Sequence, residues 1–130
     1  VQAAAPALAA GQGAVVLFSS VAARSGFANH AAIGAAKAAV EGLALSLGAE
    51  LAPVRVNVIA PSLTKTGIAA PLTGNAQMAD AIAKLHPVPR LGEAEDSAAL
   101  ADFLLSAQAG WISGQVIGVD GGRASLRSKG

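Results

Sequence analysis

The side chains best equipped for chemistry lie in one stretch, residues 19–37: the hydroxyls of Ser19 and Ser20, the imidazole of His30 and the ammonium of Lys37. On a helix, His30, Ile33 and Lys37 follow one another in steps of three and four, so they share a face. An imidazole exchanges protons near neutrality, which makes His30 the acid/base candidate. Its plainer role is that of a first-turn helix residue hydrogen-bonded to its own neighbourhood. A third hydroxyl, Thr66, ends the segment RVNVIAPSLTKT (55–66), where the residues alone suggest a helix N-cap or a turn hydroxyl. The chain has no cysteine and two histidines, so thiolate zinc sites, disulfides and cysteine nucleophiles are excluded, and two histidines make no metal site alone.

The elements that must hold these groups alternate. Residues 1–10 suit a helix stopped by Gly11 and Gly13, and AVVLFS (14–19) is an unbroken apolar run of the kind found in strands buried on both faces. A loop over 20–29 ends on Asn29, a plausible N-cap, and a long helix covers 30–52 until Pro53. A second buried strand spans 54–59, and an irregular segment over 61–74 is long enough to be functional. A helix over 75–85, a loop over 86–92, an amphipathic helix over 93–107 and a strand over 115–119 complete the series. Strand, helix, strand, helix, strand is an α/β pattern, and right-handed crossovers place three parallel strands in one sheet with helices on both faces. Gly11 and Gly13 are no phosphate cradle, because such a loop follows a strand and opens a helix, whereas this pair precedes a strand.

At Ser20, Ile33 and Lys37 the sequence resembles the short-chain dehydrogenase/reductase family. In that family a strand-end Ser precedes a Tyr by thirteen residues, and a Lys follows the Tyr by four. Ser20 and Lys37 fall on the first and last of these positions. RVNVIAPSLTKT is similar to the family's strand, Pro-Gly loop and cofactor-contacting Thr, HPVPRLGEAED (86–96) to its Pro-x-x-Arg-x-Gly loop, and ISGQVIGVDGG (112–122) to its last strand. The resemblance implies that residues 1–130 form the C-terminal half of a Rossmann-like, doubly wound domain, with the Gly-rich dinucleotide turn upstream. It also implies an NAD or NADP cofactor held by Lys37, by Pro61, Ser62 and Leu63, and by Thr66, with Ser20 polarising a carbonyl or secondary alcohol.

Two departures qualify that expectation. The Tyr position is Ile33 and the chain has no tyrosine, so the proton must come from His30 or an ordered water, or turnover has been lost and the protein is a non-catalytic scaffold or oligomer subunit. Ser62 stands where the family has Gly, which would strain the loop if that position needed positive φ. The strand over 14–19 would be an open sheet edge, so a partner strand is expected there, from a missing upstream half or a separate chain.

Composition narrows the class. Apolar residues make up 53% and charged residues 13%, a balance that collapses rather than stays disordered. A net charge of +1 with no basic stripe argues against nucleic acid. Residues 1–18 lack a basic leader, and no apolar run is expected to reach the roughly 20 residues of a membrane span, so a cytoplasmic protein is expected. On the long helix, Ile33, Lys37, Val40, Ala44, Leu47 and Leu51 form the expected sheet face. Opposite them Ala32, Ala35, Ala39, Gly42 and Ser46 form a flat strip suited to a second copy of the chain. Asn57, polar in an apolar strand, is expected to tie neighbouring loops together.

Overall fold

The computed structural model describes residues 1–127. At its centre lies strand β2 (Arg55–Pro61), in which Val56, Asn57, Val58 and Ile59 are each at most 1% exposed. Alternate residues point to opposite faces, so this strand must be covered on both. Strands β1 (Ala14–Phe18) and β3 (Val116–Val119) flank it, both parallel, in the order β1-β2-β3. Val15 lies opposite Val56, Leu17 opposite Val58, and Ile59 opposite Ile117.

Helix α2 (Ala31–Glu50) covers one face, where Ala44 meets Val56 and Val58 with Val15, Leu17, Leu47 and Val116 around them. Helix α5 (Ala94–Leu105) covers the other, where Leu104 and Ala109 meet Ile59 beside Val16, Leu100 and Ile117. Short helices α1 (Ala5–Ala10), α3 (Ala70–Thr73) and α4 (Ala76–Ala83) lie outside this sandwich. Asn75 caps α4 by accepting from the Met78 N–H. Helix α5 opens with a reciprocal capping box between Glu93 and Asp96. At its other end, the Arg55 guanidinium donates to the carbonyls of Leu104 (2.7 Å) and Ser106 (3.0 Å), completing acceptors that a helix C-terminus leaves free.

Asn57 holds a single loop rather than tying two together: its Nδ2 donates to the Ile112 carbonyl at 2.8 Å and its Oδ1 accepts from the Gln115 N–H at 3.1 Å, both in the segment that leads into β3. Trp111, at the start of this segment, stands fully exposed.

The long helix departs from expectation in three respects. Its N-cap is His30, and Asn29 instead takes a left-handed conformation (φ 63°) that asparagine tolerates. Ile33 is 51% exposed, not on the sheet face. The contact is made by Gly34, whose missing side chain lets α2 approach the 3-10 turn Val21–Ala23; a Cβ there would stand 2.9 Å from the Ala22 carbonyl oxygen. The seated face then runs through Gly34, Lys37, Glu41, Ala44 and Gly48, all at least half-buried, which turns Ile33 outward. Finally, α2 is long and apolar enough by length and composition to cross a membrane, contrary to the reading of apolar runs, because a 20-residue helix tolerates Lys37 and Glu41 within it. In the fold, its Ala44 face is seated on the sheet.

Candidate functional site

Parallel strands deliver their carboxyl ends to one rim of the sheet, the place where open α/β folds bind ligands. Ser20 follows β1, Ser62 follows β2 and Asp120 follows β3. Ser20 is held by its own hydroxyl oxygen, which accepts from the Ala22 N–H at 3.2 Å and caps the turn Val21–Ala23. Because that bond uses a lone pair, the hydroxyl proton is left to donate outward. Lys37 reaches the same strand end from α2, and its Nζ donates to the Phe18 carbonyl at 3.0 Å.

A buried side chain locks this pair of elements. Ser19, 4% exposed, donates to Glu41 Oε1 at 2.8 Å, with its oxygen 3.1 Å from the Lys37 carbonyl, and Glu41 Oε2 in turn accepts from Arg24 Nε at 2.7 Å. Ser19, Glu41 and Arg24 therefore fix the β1 end, the following loop and the Lys37 turn of α2 to one another. Sequence reasoning found Ser19 as the strand end and missed its partners. The only available signal was Glu41 lying one turn after Lys37 on the seated face.

His30 adopts the plainer of its two roles. It is exposed at the helix start, with Nδ1 2.7 Å from the Ala28 carbonyl, so Nδ1 carries the proton and Nε2 faces outward as an acceptor in the neutral ring. Its ring leans on Phe27 at 5.7 Å, and Arg123 lies over the other partner of that pair, 5.3 Å from the Phe27 centroid.

The segment after β2 is less strained than the glycine pattern led one to expect. Ser62 does not have positive φ; its N–H donates to the Val119 carbonyl and simply continues the ladder. Its hydroxyl is 2.9 Å from His86 Nε2. Thr66 is exposed and begins the 3-10 turn Gly67–Ala69 without a side-chain cap, with Oγ1 a long 3.5 Å from the Thr64 carbonyl. The N-cap hydrogen bond expected of that hydroxyl is therefore not made.

Two clefts open on the rim. One of about 350 Å³ is lined by Ser20, Val21, Arg24, Ala60 and Val116. The other, about 340 Å³, is lined by Ser62, Leu63, His86, Val88, Arg90 and Asp120. Ser20 thus belongs to one cleft and Ser62 and Leu63 to the other, while Lys37, Pro61 and Thr66 line neither.

Electrostatics at the second cleft centre on a fork: Arg90 Nη1 and Nη2 donate to Asp96 Oδ2 (2.6 Å) and Oδ1 (2.8 Å). These bonds from Arg90, helped by the Glu93 backbone N–H, lower the Asp96 carboxyl to about 2, and the guanidinium is raised in return, first by its hydrogen bond to Asp96. Asp120 accepts from the N–H groups of Gly122 and Ala124, both at 2.9 Å, and shapes the turn that closes the cleft.

A parallel sheet between two helical layers, with its polar side chains gathered at the strand ends, defines a Rossmann-like α/β protein. The family description of enoyl-(acyl carrier protein) reductases matches residues 1–124. Dehydrogenase/reductase SDR family member 4 of Homo sapiens is 38% identical over 117 residues, covering 88% of this chain and 42% of that protein. A tropinone reductase homolog of Arabidopsis thaliana is 36% identical over 116 residues, with 88% and 44% covered. Among solved structures, a short-chain type dehydrogenase/reductase from Mycobacterium ulcerans superposes with a TM-score of 0.88 at 40% identity, covering 97% of this chain and 47% of that one. A gluconate 5-dehydrogenase from Burkholderia cenocepacia, solved in complex with NADP and tartrate, gives 0.89 at 29% identity, with 97% and 51% covered. The chain belongs to the short-chain dehydrogenase/reductase family. It spans less than half the length of the curated relatives described here.

Proposed function

We propose that the protein is an NAD(P)-dependent oxidoreductase acting on a carbonyl or secondary alcohol, atypical at its acid/base position. The observation that carries this reading is the convergence of Lys37 and Ser20 on the carboxyl end of β1. An ammonium has three N–H donors, and the Phe18 carbonyl takes one of those of Lys37, so two remain to meet ribose hydroxyls. The free hydroxyl proton of Ser20 suits a substrate oxygen, and Pro61, Ser62, Leu63 and Thr66 follow the adjacent strand end, where a nicotinamide ring and its carboxamide would lie. These residues fit a nicotinamide riboside, whose ring when bound supplies or accepts a hydride. Ser20 then polarises the substrate oxygen and Lys37 orients the ribose. His30, whose Nε2 is open to solvent, exchanges the proton directly or through water.

A second reading has its own observation. The position that would carry the phenol is Ile33, half-exposed one turn before Lys37 and unable to transfer a proton. On that reading the protein is a non-catalytic scaffold that keeps the subunit surface. Both readings include assembly with a second copy through α2, whose strip Ala32, Ala35, Ala39, Gly42 and Ser46 is exposed together with Leu43 and Leu45.

Fluorescence titration of the intact protein with NADPH and NADH decides between them. The oxidoreductase reading expects binding that Lys37→Met weakens at least tenfold, the equivalent of one charge-assisted hydrogen bond of about 1.5–3 kcal/mol. It also expects Ile33→Tyr to raise carbonyl reduction by about 100-fold. Absence of binding to either nucleotide would overturn it in favour of the scaffold.

A further inference from the structure

The most informative group outside that mechanism is His86. Its residue is 4% exposed, and Nδ1 lies 2.9 Å from the Ile82 carbonyl and 3.3 Å from that of Ala83. Carbonyl oxygens only accept, so Nδ1 carries the proton, and in the neutral ring Nε2 presents a lone pair. Ser62 Oγ, at 2.9 Å, donates its proton to that lone pair. A serine hydroxyl donating to a histidine whose other nitrogen is fixed by an acceptor is the arrangement that activates serine as a nucleophile. Backbone carbonyls of the α4 end do here what a carboxylate does in a triad.

The surroundings supply two further requirements. Ser62 and His86 both line the cleft of about 340 Å³, together with the apolar side chains of Leu63, Val88 and Val119. That volume is at the lower end of ligand pockets and has room for a small ester or thioester. The amide N–H of Leu63, which directly follows the serine, meets no acceptor among the described residues. An amide in that position is the donor that receives an oxyanion in serine acyl transfer.

We propose that Ser62 and His86 form a nucleophilic pair that takes an acyl group from a small carboxylic ester or thioester. Ser62 Oγ bonds to the carbonyl carbon as its proton passes to His86 Nε2. The carbon–oxygen or carbon–sulfur bond to the leaving group breaks, and the leaving group departs with the proton from His86. Water then adds to the acyl-serine, giving its proton to His86 and releasing the carboxylic acid as Ser62 recovers its hydrogen. No oxidant or reductant enters and neither Ser20 nor Lys37 takes part, although Ser62 and Leu63 also border the proposed nicotinamide site; acylation of Ser62 is read without nucleotide present, so its outcome is distinguishable from that of the oxidoreductase reading.

The test treats the protein with a fluorophosphonate probe and with p-nitrophenyl acetate, followed by intact mass and peptide mapping. One adduct on Ser62 is expected, with p-nitrophenol release that Ser62→Ala abolishes and labelling that His86→Asn slows at least 100-fold. Because His86 is buried, a second variant guards against misfolding. The protein has no cysteine, so Ser62→Cys carries a single thiol, and its alkylation by iodoacetamide at pH 6.5 is expected to run at least tenfold faster than that of glutathione. Absence of an adduct on Ser62, undiminished labelling in His86→Asn, or a Ser62→Cys thiol no faster than glutathione each overturns the proposal.

Discussion

Replacing Gly34 by alanine tests how α2 is seated. The new Cβ would stand 2.9 Å from the Ala22 carbonyl oxygen, a backbone atom that cannot rotate away, whereas a Cβ at Gly42 in the same helix meets nothing within 4 Å. Helix propensity favours alanine over glycine by about 1 kcal/mol in a helix interior and by less in the first turn, where Gly34 lies. Overpacking costs about 1–3 kcal/mol when the neighbour is fixed. Gly42→Ala should therefore stabilise by about 0.5–1 kcal/mol, and Gly34→Ala should destabilise by about 0.5–2 kcal/mol. The two variants then differ by about 2 kcal/mol, or about 1 M in urea midpoint for a slope of about 1.5–2 kcal/mol/M. Urea melts followed by circular dichroism at one protein concentration measure the difference. Equal stabilisation by both substitutions would show that α2 does not approach the 3-10 turn as described, and the placement of Lys37 would fall with it.

Arg90→Ala should raise the Asp96 carboxyl from about 2 toward 3.8, as read by carboxyl NMR titration. Because the folded value lies below the unfolded one, Asp96 stabilises the fold above about pH 4, and that contribution fades as pH falls through about 2; acid melts of Arg90→Ala should lose this component. Asn57→Ala leaves the Ile112 carbonyl and the Gln115 N–H without partners in the core, and thermal melts should show a loss of about 2–4 kcal/mol. Ala39→Glu places a charge in the middle of the small-residue strip of α2, and light scattering should show a smaller assembly than wild type, while a monomeric wild type would count against that interface.

The layering was legible because short runs rich in β-branched residues read as buried strands, 14–19 without any polar alternation and 54–59 and 115–119 with polar members, and all three lie within two residues of the observed strands at each end. Asn57 was legible for the converse reason, since a polar residue in such a run needs fixed partners. The face of α2 was misassigned at Ile33 because the period counts apolar side chains, whereas the closest approach is made by a glycine that has none. In the site, Ser20 and Lys37 could be singled out only through the resemblance to the family's pattern. The Ser62–His86 pair could not, because its members are 24 residues apart on separate loops and only the return of the chain after α4 brings them together. Arg55 was missed likewise, its partners lying 49 and 51 residues away.

Trp111 is the sole tryptophan in a chain without tyrosine, and it is fully exposed. Its emission is therefore already that of an indole in water, and unfolding should shift it little. The same property makes it a clean probe of docking: a blue shift on raising protein concentration, or on adding a second chain, would mean that a neighbour has covered the loop that leads into β3.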